Sequence, residues 1–210
     1  MARQPTAKPS RTPRTVALIV GGIAVLGALL FAAFGLETDT GPSVAEVAGS
    51  PTVDGEALAV LDDPQNDPTV GQEAPTARGQ DFDGQDVAVG EGGPEIVVFM
   101  ASWCPACDAE LPELSELLRE GRLPGEVTVT SVATFHDANR PNWPPQDWFA
   151  RQDYPGPILV DDADSSVAEA YGVSGTPFWV FLDDGQVVGR ASGQLAMGVV
   201  EDVAGDLASR

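Results

Sequence analysis

Between residues 95 and 120 the chain sets an apolar, β-branched run, a W-C-P-A-C stretch and a helix-like run directly one after another. The two cysteines of that stretch, Cys104 and Cys107, are the only ones in 210 residues. A short unbroken apolar run such as Glu95 to Ala101 is the pattern of a strand covered on both faces. From Pro105 to Glu120, Leu111, Leu114, Leu117 and Leu118 recur at helical spacing with acids between them. A buried strand that feeds a helix through C-x-x-C restricts the fold to α/β architectures with the pair at a strand's end. No metal is expected. Zinc wants three or four Cys, His or carboxylate ligands, and the only histidine, His136, lies 29 residues beyond Cys107 with no second C-x-x-C. The pair is therefore suited to reversible dithiol/disulfide chemistry, with a purely structural disulfide as the rival.

The remainder of the last 140 or so residues alternates in the same way. Val127 to Phe135 and Ile158 to Val160 read as strands, and Asp147 to Gln152 and Ser165 to Tyr171 as short helices. Phe178 to Leu182 and Gln186 to Ala191 flank Asp183-Asp184-Gly185, a hairpin signal, and Val199 to Ala208 reads as a closing helix. The order of these segments, strand–helix–strand–helix–strand–helix–strand–strand–helix, predicts a small α/β sandwich around a mixed central sheet.

The N-terminal third is of another kind. Thr15 to Leu36 carries no charge and is about the 20 residues a helix needs to cross a bilayer. Arg3, Lys8, Arg11 and Arg14 precede it, and all 32 acidic residues follow it against seven arginines, so the part after residue 36 has a formal charge of −25. Basic flank inside, acidic bulk outside is the expected topology of an exported, single-pass protein. A cleavable signal peptide is the competing reading, since Ala33 and Gly35 are small, but the apolar stretch exceeds the usual core of such a peptide. A surface so acidic excludes nucleic acid as a partner. Residues 37–69, rich in Gly, Pro, Asp and Ala with no sustained apolar period, are expected to form a flexible tether. The organisation expected is thus a basic cytoplasmic tail (1–14), a membrane anchor (15–36), the tether (37–69) and one extracytoplasmic domain (70–210), acting as a monomer.

Within the motif, Cys104 falls at the N-cap of the helix and Pro105 in its first turn, where a missing N–H costs nothing. Free N–H groups and the positive end of the helix dipole favour the Cys104 thiolate. Cys107, one turn inward, is placed to resolve a mixed disulfide. W-C-P-A-C at a strand–helix junction, followed about seventy residues later by Gly175-Thr176-Pro177-Phe178, resembles the thioredoxin superfamily. Trp103, Cys104, Cys107, Glu110 and Pro112 match the W-C-x-x-C-x-x-E-x-P of its exported TlpA/ResA-like group. Val70-Gly71-Gln72-Glu73-Ala74-Pro75 and Val173-Ser174-Gly175-Thr176-Pro177 match that group's V-G-x-x-A-P and V-x-G-T-P.

The resemblance implies a thioredoxin-like sandwich over roughly residues 69–208, and a cis Thr176–Pro177 bond that puts the Thr176 backbone beside Cys104 for substrate pairing. It implies a rim of Trp103, Pro105 and Ala106. It also implies that Glu110 assists proton transfer at the thiols; thioredoxins proper carry their buried acid at the position held here by Val98. The function implied is a membrane-tethered thiol–disulfide oxidoreductase acting without cofactor on exported proteins, with a membrane electron donor or acceptor left unnamed. Asp108 and Glu110 beside the cysteines, and the absence of a lysine or histidine in the motif, favour a reductant as in cytochrome c maturation over a disulfide-forming oxidase. A copper- or haem-handling chaperone would show a wider cysteine spacing. A thiol peroxidase would show a threonine in Met100-Ala101-Ser102-Trp103, and an inert module would have lost the cysteine pair. His136 reads as a loop residue, and Trp143 and Trp148 among their prolines as a packed loop where partner specificity could reside.

Overall fold

The computed structural model describes residues 41–210. The expected basic tail, the membrane anchor and the first residues of the expected tether lie outside the described residues, among which no helix is long and apolar enough to cross a membrane. In chain order the elements are α1 (Val44–Val47), β1 (Thr52–Asp54), a 3₁₀ turn (Pro64–Asn66), β2 (Thr76–Gln80), β3 (Asp86–Val89) and β4 (Glu95–Met100). There follow α2 (Pro105–Arg119), β5 (Thr128–Ala133), α3 (Pro145–Arg151), β6 (Ile158–Val160), α4 (Ser166–Ala170), β7 (Phe178–Asp183), β8 (Gln186–Ser192) and α5 (Met197–Ala208).

The main sheet has the order β6-β5-β4-β7-β8, parallel among β4, β5 and β6 and antiparallel from β4 through β7 to β8. All six residues of β4 are buried, as its unbroken apolar run requires. Ile96, Val98 and Met100 pack into a core with the leucines of α2, with Trp148, Phe149 and Trp179, and with Val200, Ala204 and Leu207 of α5. Val97 and Phe99 point the other way, into a second core with Val132, Leu159, Val167, Tyr171 and Phe178. The β7–β8 hairpin turns on Asp184 and Gly185, whose φ of 47° and 77° match the twist of paired strands. The register Phe99↔Phe178 brings the end of β4 and the start of β7 to the same edge of the sheet. The Ser102–Cys104 and Ser174–Pro177 loops consequently emerge side by side, which is the step that builds the site.

One expectation is overturned. Residues 41–69 do not hang off the domain as a tether; they are folded onto it. β1 pairs with β2 in a separate three-stranded sheet, β1-β2-β3. Leu58 and Leu61 are buried in the second core, and their N–H groups donate to the carbonyls of Ala170 and Gly172. Asp67 forms a buried, two-pronged pair with Arg190 of β8 at 2.7 and 2.8 Å. These anchors are single apolar or charged residues spaced without period, and each is stabilised only by a partner far along the chain. Local pattern could not reveal them, and the folded domain takes in residues 41–69 together with 70–210.

Candidate active site

The site grows from the N-terminus of α2. Cys104 is the N-cap with φ −77° and ψ 120°, and its carbonyl accepts the first helical bond from the Asp108 N–H at 3.0 Å. Pro105 fills the first turn and lies exposed. Pro112 neither starts nor ends the helix, which runs through it to Arg119 with the ring on the exposed face.

Both cysteines are thiols. Cys104 is 7% exposed and donates from Sγ to the Thr176 carbonyl at 3.1 Å, across the cis Thr176–Pro177 peptide of the neighbouring loop. Cys107 is fully buried beneath it. Burial opposes the Cys104 thiolate, yet hydrogen bonds from the Thr176 side-chain hydroxyl, from Cys107 and from the Ala106 N–H outweigh it and hold this thiol below the usual range. Burial drives Cys107 far above that range; the Ala101 backbone offsets little of this, and the adjacent Cys104 sulfur adds to it. One helical turn thus separates a thiol inclined to ionise from one held protonated, the division that an attacking and a resolving cysteine require.

Glu110 continues the same buried face one turn further on, and is 1% exposed. Desolvation lifts its carboxyl to about 7, against the pull of the Leu195 N–H, which donates to Oε1 at 2.6 Å from the β8–α5 loop. Neither cysteine is among its hydrogen-bond partners, and Oε2 has none. Asp108 does not act on the thiols as a free charge. Its Oδ1 accepts from Trp148 Nε1 at 2.8 Å and from Asn142 Nδ2 at 3.3 Å, so it serves as the anchor of the loop before α3.

That loop forms one wall of the site. Trp103 is half-buried, donates from its indole to the Phe135 carbonyl at 2.6 Å, and carries the Arg140 guanidinium 4.7 Å above its ring. Asn142, at φ 60°, reaches the Ser102 carbonyl at 3.0 Å. Trp143 precedes a second cis proline, Pro144, and donates to the Pro42 carbonyl at 2.7 Å. His136 contacts the Asp161 carbonyl and the Trp143 ring, and burial lowers its pKa. Ala106 is half-buried against the first core. The structure therefore gathers Trp103, Cys104, Pro105, Ala106, Cys107, Glu110, Thr176 and Pro177 around one helix end and sets His136 apart. Among the described residues, no group of three or more His, Cys, Asp or Glu side chains is placed to hold a metal ion. The sequence did not disclose Phe135 and Leu195, which contribute backbone atoms and so carry no side-chain signature. Asn142 lies in the turn-rich Pro141-Asn142-Trp143-Pro144-Pro145 stretch, whose composition signals a loop but not the contact with Ser102.

Residues 69–204 match the Redoxin family. The chain is 33% identical over 159 residues to a thiol:disulfide interchange protein DsbE homolog of Paracoccus denitrificans, covering 72% of this chain and 83% of that one. It is 26% identical over 126 residues to the thiol-disulfide oxidoreductase ResA of Halalkalibacterium halodurans, covering 59% and 68%. Among solved structures, StoA from Bacillus subtilis superposes with a TM-score of 0.53 at 20% identity, over 65% of this chain and 98% of that one. A thioredoxin family thiol:disulfide interchange protein from Chlorobium tepidum superposes with 0.54 at 22%, over 64% and 94%.

Proposed function

The chain belongs to the Redoxin family and is a thiol–disulfide oxidoreductase of the DsbE and ResA type, and from that premise we propose that Cys104 and Cys107 carry the reaction as a dithiol that reduces exported proteins. One observation supports this above the others. Cys104 stands at the N-cap of α2 with its Sγ against the Thr176 carbonyl, and a fully buried second thiol lies one turn beneath it. In the proposed cycle the Cys104 thiolate attacks one sulfur of a substrate disulfide, and the other sulfur departs as a thiolate. Cys107 then gives its proton to the Glu110 carboxylate and attacks Cys104 Sγ. The second substrate sulfur leaves, two electrons have passed to the substrate, and a Cys104–Cys107 disulfide remains for a membrane electron donor to reduce. The Thr176 N–H has no hydrogen-bond partner among the described residues, which suits pairing with an extended substrate segment.

The reductant reading is supported by the absence of a basic side chain among the groups that act on the Cys104 thiolate. Strong thiol oxidants hold their attacking cysteine as a deeply stabilised thiolate. The Cys104 thiol is lowered by hydrogen bonds against the opposing effect of burial, with no basic side chain among the causes, and Cys107 is held as a thiol. The equilibrium potential against glutathione is expected to be more negative than about −200 mV; a value near the roughly −120 mV of a strong oxidant would reverse the assignment.

The tethering reading rests on the uncharged Thr15–Leu36 segment and its basic flank. The full-length chain is expected in the membrane pellet after an alkaline carbonate wash. A soluble product starting near Leu36 would mean that the segment is cleaved.

A further inference from the structure

The four tryptophans of the chain all lie in the described domain, and three of their indole N–H groups have named acceptors. Trp103 donates to the Phe135 carbonyl, Trp143 to the Pro42 carbonyl and Trp148 to Asp108, all between 2.6 and 2.8 Å. Trp179 is the exception. It is fully buried on β7, two residues after the cis proline, and its Nε1 makes no hydrogen bond of ordinary geometry. Glu110 Oε2 is likewise buried without such a bond, and Trp179 packs in the first core against the buried face of α2 that carries Glu110, where its side chain pulls the Glu110 carboxyl down. A buried indole N–H seeks an acceptor and a buried carboxylate oxygen seeks a donor, so the two orphans answer each other.

We infer that Trp179 is a positioning residue for Glu110, its indole N–H turned on Oε2 opposite the Leu195 N–H on Oε1, so that it sets the pH at which Glu110 changes protonation state. An indole and an amide N–H are both donors only. When Glu110 is ionised, both oxygens accept. When it takes up a proton, its O–H has no acceptor in that pair and must displace one of the N–H groups. The two donors therefore favour the carboxylate, the form able to receive the proton of Cys107, against the desolvation that favours the acid.

The other groups facing Glu110 do not compete for this role. On its own helix these are the two thiols and Glu113, which is exposed. From β7 and the β8–α5 loop come only N–H donors. On α5, packed against α2 and β7, Glu201 is held by Arg122 at 2.6 Å, and Asp202 and Asp206 face solvent.

The inference rests on the proposed role of Glu110, and its test keeps the two apart. In the full-length chain labelled with ¹⁵N in its tryptophan indoles, the Trp179 N–H resonance should move with pH around a midpoint near 7, while those of Trp103 and Trp143, bonded to carbonyls, stay still. In Glu110→Gln the Trp179 movement should vanish. Trp179→Phe removes the donor and keeps the ring. It should raise the carboxyl midpoint of Glu110, followed by ¹³C, by about one unit or more. Glu95 is the internal control: desolvation also lifts it to about 7, but it sits at the far end of β4 and should not respond. The rise in the rate of disulfide reduction through pH 7 should shift alkaline by the same amount in Trp179→Phe. A pH-independent Trp179 resonance in the wild type overturns the inference even if Trp179→Phe does not fold. An indole that follows Glu110 while Glu110→Gln leaves the pH–rate profile unchanged would keep the pairing and remove the proton-relay role instead.

Discussion

Replacing Cys107 with serine is expected to trap mixed disulfides between this chain and its substrates, whereas replacing Cys104 with serine should trap almost none and abolish turnover. The asymmetry follows from the helix turn that carries both. Cys104 stands at the N-cap, where the Thr176 hydroxyl and the Cys107 and Ala106 N–H groups favour its ionised form, and burial keeps Cys107 protonated. Only the first can attack a substrate disulfide, and only the second can release it. Iodoacetamide gives an independent check: Cys104 should alkylate faster than Cys107 by roughly tenfold or more near neutral pH, since the thiolate is the reacting species. Equal rates, or mixed disulfides accumulating in the Cys104 variant, would exchange the roles.

How far this site was legible in advance depends on where each group gets its position. The cysteines, Pro105, Glu110, Thr176 and Pro177 are placed by local rules or by a motif, and the folded domain brings them together. The β4 strand and α2 helix are set by an unbroken apolar run and a leucine period, and their observed bounds differ from the reading by a residue at an end. Asp108 shows the limit. Adjacent to Cys107 in sequence, it reads as a charge acting on the thiols, but its carboxylate is committed to Trp148 and Asn142, 40 and 34 residues away. Trp179 shows it again. The unbroken apolar run of β7 marks this residue as core, and nothing local says that its one polar atom is buried in the same core as a glutamate of another element.

The same limit governs residues 41–69, whose anchoring carries the largest stability effect we expect. Replacing Arg190 with methionine should destabilise the domain by about 3–5 kcal/mol, because it strips a buried carboxylate of its counter-charge. Both side chains of the Arg190–Asp67 pair are essentially inaccessible, at 0% and 1% exposure. Arg190 also donates to the carbonyls of Ala59 and Tyr171 at 2.9 Å, so one guanidinium ties residues 59 and 67 to β8 and to the end of α4. Against a typical total of about 5–15 kcal/mol, that loss should be visible in urea unfolding and should expose residues 41–69 to limited proteolysis. The Arg190→Met, Asp67→Leu double variant should recover part of it, since no charge is left buried, although two carbonyls still lack their donor. The pair also fixes an acid limit. The hydrogen-bonded Arg190 guanidinium holds the Asp67 carboxyl at about 2, below its ordinary 3.8, so its contribution is complete above pH 3.8 and fades as pH falls towards 2. An Arg190→Met loss below about 1 kcal/mol, with residues 41–69 still protected, would mean that Leu58, Leu61 and β1 hold the segment without the pair.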